Sequence, residues 1–339
     1  MRRSSAALLL AALLTASTPP PSPSPSAAGL LHSAMIAAAH VSYVGEVQVL
    51  RIGMERSDAS IYRVEHKAPG ETRRWYVAPQ GLYGDEVITR GGTEYSIDVK
   101  REEVVVSKDE DADQQIATHG NYRALLANYD ALSAPDETFD GRRTHVVVLN
   151  NKFTGETTLR LHIDAVTHLV LERQEYAGDG SLIAEMRIEQ LRYTNSIPKA
   201  VFDVPAGLRR VNDPARARES SDVQQVIASA GFAALVPKYL PEGFGPVAGD
   251  VVSIKSVPTL HVLYSDGIRT ISLFQNEKDA AINLSRFKAK ETLVGNHPAR
   301  YVEEGPTTLL AWSDGARHFA LVSELRLSEL RKIGASLAP

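Results

Sequence analysis

Few residue patterns in this chain could carry covalent chemistry. Two Ser-x-x-Lys matches occur, Ser196-Ile197-Pro198-Lys199 and Ser285-Arg286-Phe287-Lys288. A lysine activates such a serine only when a helical turn brings the amine to the hydroxyl, and Pro198 opposes a helix at the first match. The second match has no companion motif. Asp109, Asp111 and Asp113 imitate the first half of a calcium loop, but Gln114 stands where the sharp turn needs Gly and Gly120 where the bidentate Glu belongs. His162 and His168 flank a turn and could meet, with no third metal ligand evident. Asn283-Leu284-Ser285 is a glycosylation sequon only in a compartment that reads it. The phosphate-cradling, nucleophile-elbow, zinc-protease and dinucleotide motifs are all missing from the sequence. So is cysteine, which removes disulfides, thiolate metal sites, Cys nucleophiles and a Cys-linked lipid anchor. The expectation is a non-enzyme with no catalytic residue, no metal and no cofactor.

Composition sets the frame for those residues. The chain has 339 residues, 43% hydrophobic and 23% charged, enough for two ordinary cores. With 37 basic and 41 acidic side chains the net charge is -4, so nucleic acid is not an expected partner. Arg2-Arg3 followed by the apolar run Ala6 to Leu14 has the form of a secretory signal, too short to span a bilayer of roughly 30 Å. Small residues around Ala16-Ser17 or Ala27-Ala28 offer cleavage positions. The Pro-Ser tract from Thr18 to Ser26 that follows is a stiff, solvated spacer. Residues 1–28 are therefore read as signal peptide and start of the export segment, and the protein as periplasmic or otherwise exported.

From Val41 onward the pattern alternates as strands do. Val41–Leu50, Ile61–His66, Arg74–Val77, Glu86–Arg90, Glu94–Asp98 and Glu103–Val106 form one antiparallel meander, with Gly91-Gly92 as a tight turn. Asn121 to Leu132 has helical spacing, with Tyr122, Leu125, Leu126 and Tyr129 on one side and Asn121 as cap. Strands resume at Thr144–Leu149, Thr157–Ile163, Leu169–Tyr176 and Ile183–Tyr193, and the unit closes with Val201–Pro205. This gives a first domain over 30–211 and a polar linker at 212–222. A smaller second domain over 223–339 opens with a helix capped by Asp222, continues through strands from Val251 to Val322, and ends with a helix over Ser328–Leu337. The fold class is α+β.

Tyr43, Val47, Val49, Tyr62, Val64, Trp75, Tyr95 and Ile97 would share the concave side of a curved sheet if the strand register holds. A sheet of this kind closed by a helix can hold an apolar cavity for a lipid or an apolar peptide. The competing expectation is that these residues are ordinary core against the Tyr122–Tyr129 helix.

Several segments in order carry a family resemblance: Gly45-Glu46-Val47-Gln48-Val49, Tyr62-Arg63-Val64-Glu65-His66, Glu86 to Gly92, Val104-Val105-Val106, Arg173 to Tyr176 with Gly178-Asp179-Gly180-Ser181-Leu182, and Phe202-Asp203-Val204-Pro205. In the second domain they are Val236 to Phe244, Leu263 to Gly267 and Ser272-Leu273-Phe274. Together they resemble the RseB/MucB family of periplasmic sigma-E factor regulators. The resemblance implies an N-terminal unclosed antiparallel β-barrel with a helical plug, like the LolA and LolB carriers, and a smaller α+β C-terminal domain. It also implies a function: holding the exported part of a single-span membrane anti-sigma factor, with lipid, lipopolysaccharide or a lipoprotein acyl chain loosening the grip during envelope stress. On that reading Val262, Tyr264, Ile271 and Phe274 partly face solvent or the partner. A lipid or lipoprotein carrier of the LolA type is the alternative function on the same fold.

Overall fold

The computed structural model describes residues 25–53, 57–108, 116, 122–211, 221–254, 256–277, 284 and 288–338. The segment read as a signal, most of the Pro-Ser tract, Asp109, Asp111, Asp113, the expected cap Asn121, Asn283, Ser285 and the residues 212–220 read as a linker lie outside them. Among the described residues no helix is long and apolar enough to cross a membrane.

Helix α1 (Ala27–Ala37) starts where the Pro-Ser tract ends, because Ser26 accepts a hydrogen bond from the Gly29 amide and caps it. It is followed by strands β1 (Tyr43–Arg51), β2 (Asp58–Lys67), β3 (Glu71–Ala78), β4 (Glu86–Arg90), β5 (Thr93–Asp98) and β6 (Glu103–Lys108). Next come helix α2 (Tyr122–Asn128) and strands β7 (Tyr129–Phe139), β8 (Arg142–Asn151), β9 (Thr157–Asp164), β10 (Val170–Tyr176), β11 (Leu182–Tyr193) and β12 (Arg209–Val211). These strands form one twelve-stranded sheet in the order β12-β6-β5-β4-β3-β2-β1-β11-β10-β9-β8-β7. Every neighbouring pair is antiparallel except β12 on β6. The end strands β12 and β7 do not meet, so the sheet is open and not closed into a barrel.

The second half contains α3 (Val223–Ser229), a two-residue strand β13 (Val236–Pro237), strands β14 (Gly245–Ile254), β15 (Val257–Ser265), β16 (Thr270–Asn276), β17 (Lys290–Val294), β18 (His297–Glu304), β19 (Thr307–Ser313) and β20 (His318–Ser323), then α4 (Leu327–Ala335) and β21 (Leu337–Ala338). Seven of these strands form a sheet in the order β14-β15-β16-β20-β19-β18-β17, while β13 pairs with β21. Asp222 caps α3 as its sequence position predicts, accepting from the Gln225 amide.

Two sequence expectations change here. The helix expected over Asn121–Leu132 stops at Asn128, because Tyr129 enters β7 opposite Asn151 and its side chain is pulled inward. The strand expected at Val201–Pro205 is a 3-10 turn over Lys199–Phe202 led by Pro198. This turn also leaves the first Ser-x-x-Lys match without the α-helix it needs. Helix α1 and strands β7, β12 and β17 had no counterpart in the sequence reading. The Gly91-Gly92 turn is as expected: both residues have positive φ, +58° and +73°, which suits a two-residue hairpin.

Candidate functional site

The large sheet presents an apolar inner face to α1 and α2. Tyr43, Val47 and Val49 from β1 and Tyr62 and Val64 from β2 lie on it, in one cluster with Leu149, Leu159, Leu161, Met186 and Ile188 of neighbouring strands. Leu30, Leu31 and Ala34 of α1 and Leu125 of α2 complete that cluster. The five strand residues are buried in the same cluster as these helix residues, the arrangement expected of packed core.

Trp75, Tyr95 and Ile97 do not share that face, which corrects the sequence expectation. The β2–β3 hairpin pairs Tyr62 with Tyr76, Val64 with Arg74 and His66 with Thr72, so Trp75 stands opposite Arg63 and points outward. It lies beneath the Arg63 guanidinium, 5.4 Å from its ring, and 6.5 Å from the ring of Tyr83. Tyr95 pairs with Ile88, and Ile97 with Glu86. Both pack on the outer side with Val104, Ile197 and Phe202, in a separate small core. One alternation step thus moves all three away from the proposed cavity.

The inner face is not wholly apolar. Arg74 is buried on it, 5.9 Å from the Tyr62 ring, and Tyr76 lies 5.4 Å from the same ring. Register also brings Arg173 inward, opposite Leu161 and Met186, where it forms an ion pair with Glu175 at 2.7 Å. A hydrophobic alternation count passes over these residues because it ignores cations; for Arg74 the even spacing from Thr72 and Tyr76 was the available signal.

The end of α1 is fixed to the sheet by His66. Its ring stacks on Tyr43 at 5.1 Å, with Nε2 2.7 Å from the Ala38 carbonyl and Nδ1 2.8 Å from the Thr72 hydroxyl. A carbonyl can only accept, so Nε2 carries the proton and Nδ1 accepts from Thr72. Burial holds the imidazole below its ordinary range, against the opposing pull of the Ala38 carbonyl.

His162, far from meeting His168, lies on the outer face between two carboxylates, with Nδ1 2.7 Å from Glu172 and Nε2 2.8 Å from Glu137. Burial alone would lower it, but the two flanking carboxylates together outweigh that and raise it. No group of three or more His, Asp or Glu among the described residues could hold a metal ion.

In the small sheet Val262, Tyr264 and Ile271 are buried at 1%, 5% and 0% exposure, which corrects their reading as partner-facing. They sit on the face covered by α3 and α4, in one core with Leu310, Trp312 and Ile333. Phe274 is on the opposite face, half-buried and stacked at 4.4 Å on His261, whose Nδ1 donates to Asp250 at 2.9 Å. The same alternation that put Phe274 outside placed the other three inside.

An open twelve-stranded sheet filled by an N-terminal helix, followed by a helix-covered seven-stranded sheet, defines a two-sheet α+β protein built around an apolar face. Its fold is that of the RseB/MucB-like proteins. It is similar to MucB in complex with MucA(peri), at TM-score 0.64 and 17% identity, over 92% of this chain and 98% of that one. The Pseudomonas aeruginosa MucA/MucB complex gives the same values. MucB alone matches at TM-score 0.55 and 15% identity over the same shares. No protein-family model matches the sequence, and comparison with curated proteins gives no match.

Proposed function

We propose that this chain is an exported, non-enzymatic regulator that binds the extracytoplasmic part of a single-span membrane anti-sigma factor. On this reading it works in the periplasm as a two-domain protein, 30–211 and 223–339, delivered by the signal segment within residues 1–28. The observation that supports it is the fold match over 92% of the chain to MucB solved with MucA(peri). Buried Ala27 favours signal cleavage near Ala16-Ser17, since a cut at Ala27-Ala28 would remove the Ser26 cap and open the first turn of α1.

The finer part of the proposal is that the inner face senses a lipid, lipopolysaccharide or lipoprotein acyl chain. Because Tyr43, Val47, Val49, Tyr62 and Val64 are covered by helices, such a ligand must take the place of α1 or α2. It shifts partner binding only by its preference for the displaced state. The test is cross-linking and native mass spectrometry of the tagged chain from its own envelope. A one-to-one complex with the exported segment of a single-span membrane protein supports the regulator. A stoichiometric lipid with no protein partner overturns it in favour of a carrier.

A further inference from the structure

The turn between β15 and β16 belongs structurally to the other half of the molecule. Ile268, at its tip, is buried in the core cluster of the large sheet, together with Leu125 and Tyr129. Beside it Asp266, 1% exposed, accepts a hydrogen bond from the Tyr129 hydroxyl at 2.6 Å. Its other carboxylate oxygen accepts from the amides of Ile268 and Arg269, so the turn is held in shape from within. The Asn128 side-chain amide donates to the carbonyls of Asp266 and Gly243, at 2.8 Å and 2.9 Å. Gly267 passes so close to α2 that a Cβ there would lie 2.5 Å from the Leu125 nitrogen. Arg269 donates to the Tyr176 carbonyl at 3.3 Å.

All but the last of these contacts converge on α2, its first following residue Tyr129, and the turn. The same short helix covers the apolar inner face through Leu125, which is 0% exposed. We propose that the Ser265–Arg269 turn is a coupling element: the small-sheet half is seated by inserting Ile268 into the large-sheet core, and displacing α2 from the inner face unseats it. An acyl chain is the occupant this geometry suits, and in that respect the inference rests on the sensing reading above; the mechanical coupling does not. Coupling of this kind is reciprocal, so weakening the turn also loosens the inner face.

The chain's two tryptophans fall one in each half, Trp75 in β3 and Trp312 in β19. In Trp312→Phe and Trp75→Phe backgrounds, fluorescence-detected melting therefore reads each half separately. Ile268→Ala, a change in the small-sheet half, is expected to lower the Trp75 transition by roughly 5 °C. Asn128→Ala, a change in the large-sheet half, is expected to lower the Trp312 transition by a similar amount. If either variant fails to fold, Ile268→Val and Tyr129→Phe should show the same crossing at smaller size. Variants that lower only the transition of their own half overturn the coupling.

Lauric acid then serves as the apolar probe, with binding followed by calorimetry. Because the chain has no cysteine, spin labels at Val166→Cys and Leu293→Cys report the distance between halves cleanly. Lauric acid that binds and shifts the distance distribution supports the proposal. Binding without a shift overturns the coupling and leaves sensing intact. Lauric acid that does not bind counts against acyl-chain sensing, and the tryptophan crossing alone then decides the coupling.

Discussion

Helix α1 is the element on which the inner face most depends, and Leu31→Ala tests it. Leu31 is 1% exposed, and it lies in one core cluster with Leu30, Ala34 and the inward residues of β8 and β9. Truncating a core leucine costs about 2.7–5 kcal/mol, depending on how far the surroundings collapse into the space. A helix that packs across a sheet through one face can settle toward it, so the lower part of that range applies, about 3 kcal/mol. For a unit of this size each kcal/mol moves the melting temperature by about 2–4 °C, giving a fall of roughly 6–12 °C. Ile36, on the same helix but 45% exposed, is the control. Ile36→Ala removes little buried surface and gains slightly in helix propensity, so its effect should stay within about 0.5 kcal/mol. Calorimetry and far-ultraviolet circular dichroism on both variants provide the readout. Anilinonaphthalene sulfonate should bind Leu31→Ala more strongly than the parent, because a loosened α1 uncovers the apolar face. Equal shifts for the two variants would refute the docking of α1 as core.

Other outcomes follow from the register and the charges. Trp75→Glu should cost about 1 kcal/mol, chiefly its packing against Arg63, and leave inner-face probe binding unchanged, whereas Val47→Glu, placing a charge at a 0% exposed site, should prevent accumulation of folded protein; soluble yield and urea midpoints distinguish them. Phe202→Ala empties the centre of the small outer core and should cost about 3–5 kcal/mol by urea titration, with no change in inner-face probe binding. Two of the buried histidines should act in opposite directions with pH. His66 is depressed when folded, so below its ordinary value of 6.5 the unfolded chain takes up a proton that the folded chain refuses; stability falls with acidification by at most about 1.4 kcal/mol per pH unit, and His66→Gln flattens that limb. His162 is raised, so its contribution is complete below 6.5 and is lost as pH rises through its folded value, a loss that His162→Gln should abolish. Urea midpoints between about pH 5 and 8 measure both.

Much of the secondary structure could be read from the chain because local signals and tertiary context agree. The alternation in β1 and β2, the Gly91-Gly92 turn and the Asp222 cap each follow from backbone sterics or a side-chain hydrogen bond within a few residues. The inward position of Tyr43, Val47, Val49, Tyr62 and Val64 was legible for the same reason: period-two burial is a local property of each strand. Which face Trp75, Tyr95 and Ile97 take was not, since it depends on the register of β3 on β2, which puts Trp75 opposite Arg63, and on that of β4 and β5 beyond it. Helix α1 was hidden because an alanine-rich segment after a Pro-Ser tract resembles the tail of an export signal until a sheet is there to bury Leu30 and Leu31. Burial of Val262, Tyr264 and Ile271 required knowing that α3 and α4 cover the same face of the small sheet. The meeting of Asn128 and Tyr129 with Asp266 joins residues more than a hundred positions apart, and no local pattern encodes it. Sequence alone determined that the chain is strand-rich in two successive runs and carries none of the common catalytic motifs. The tertiary structure alone decided which apolar residues face each other and how one unit is seated in the other, because register and packing are properties of the assembled sheets.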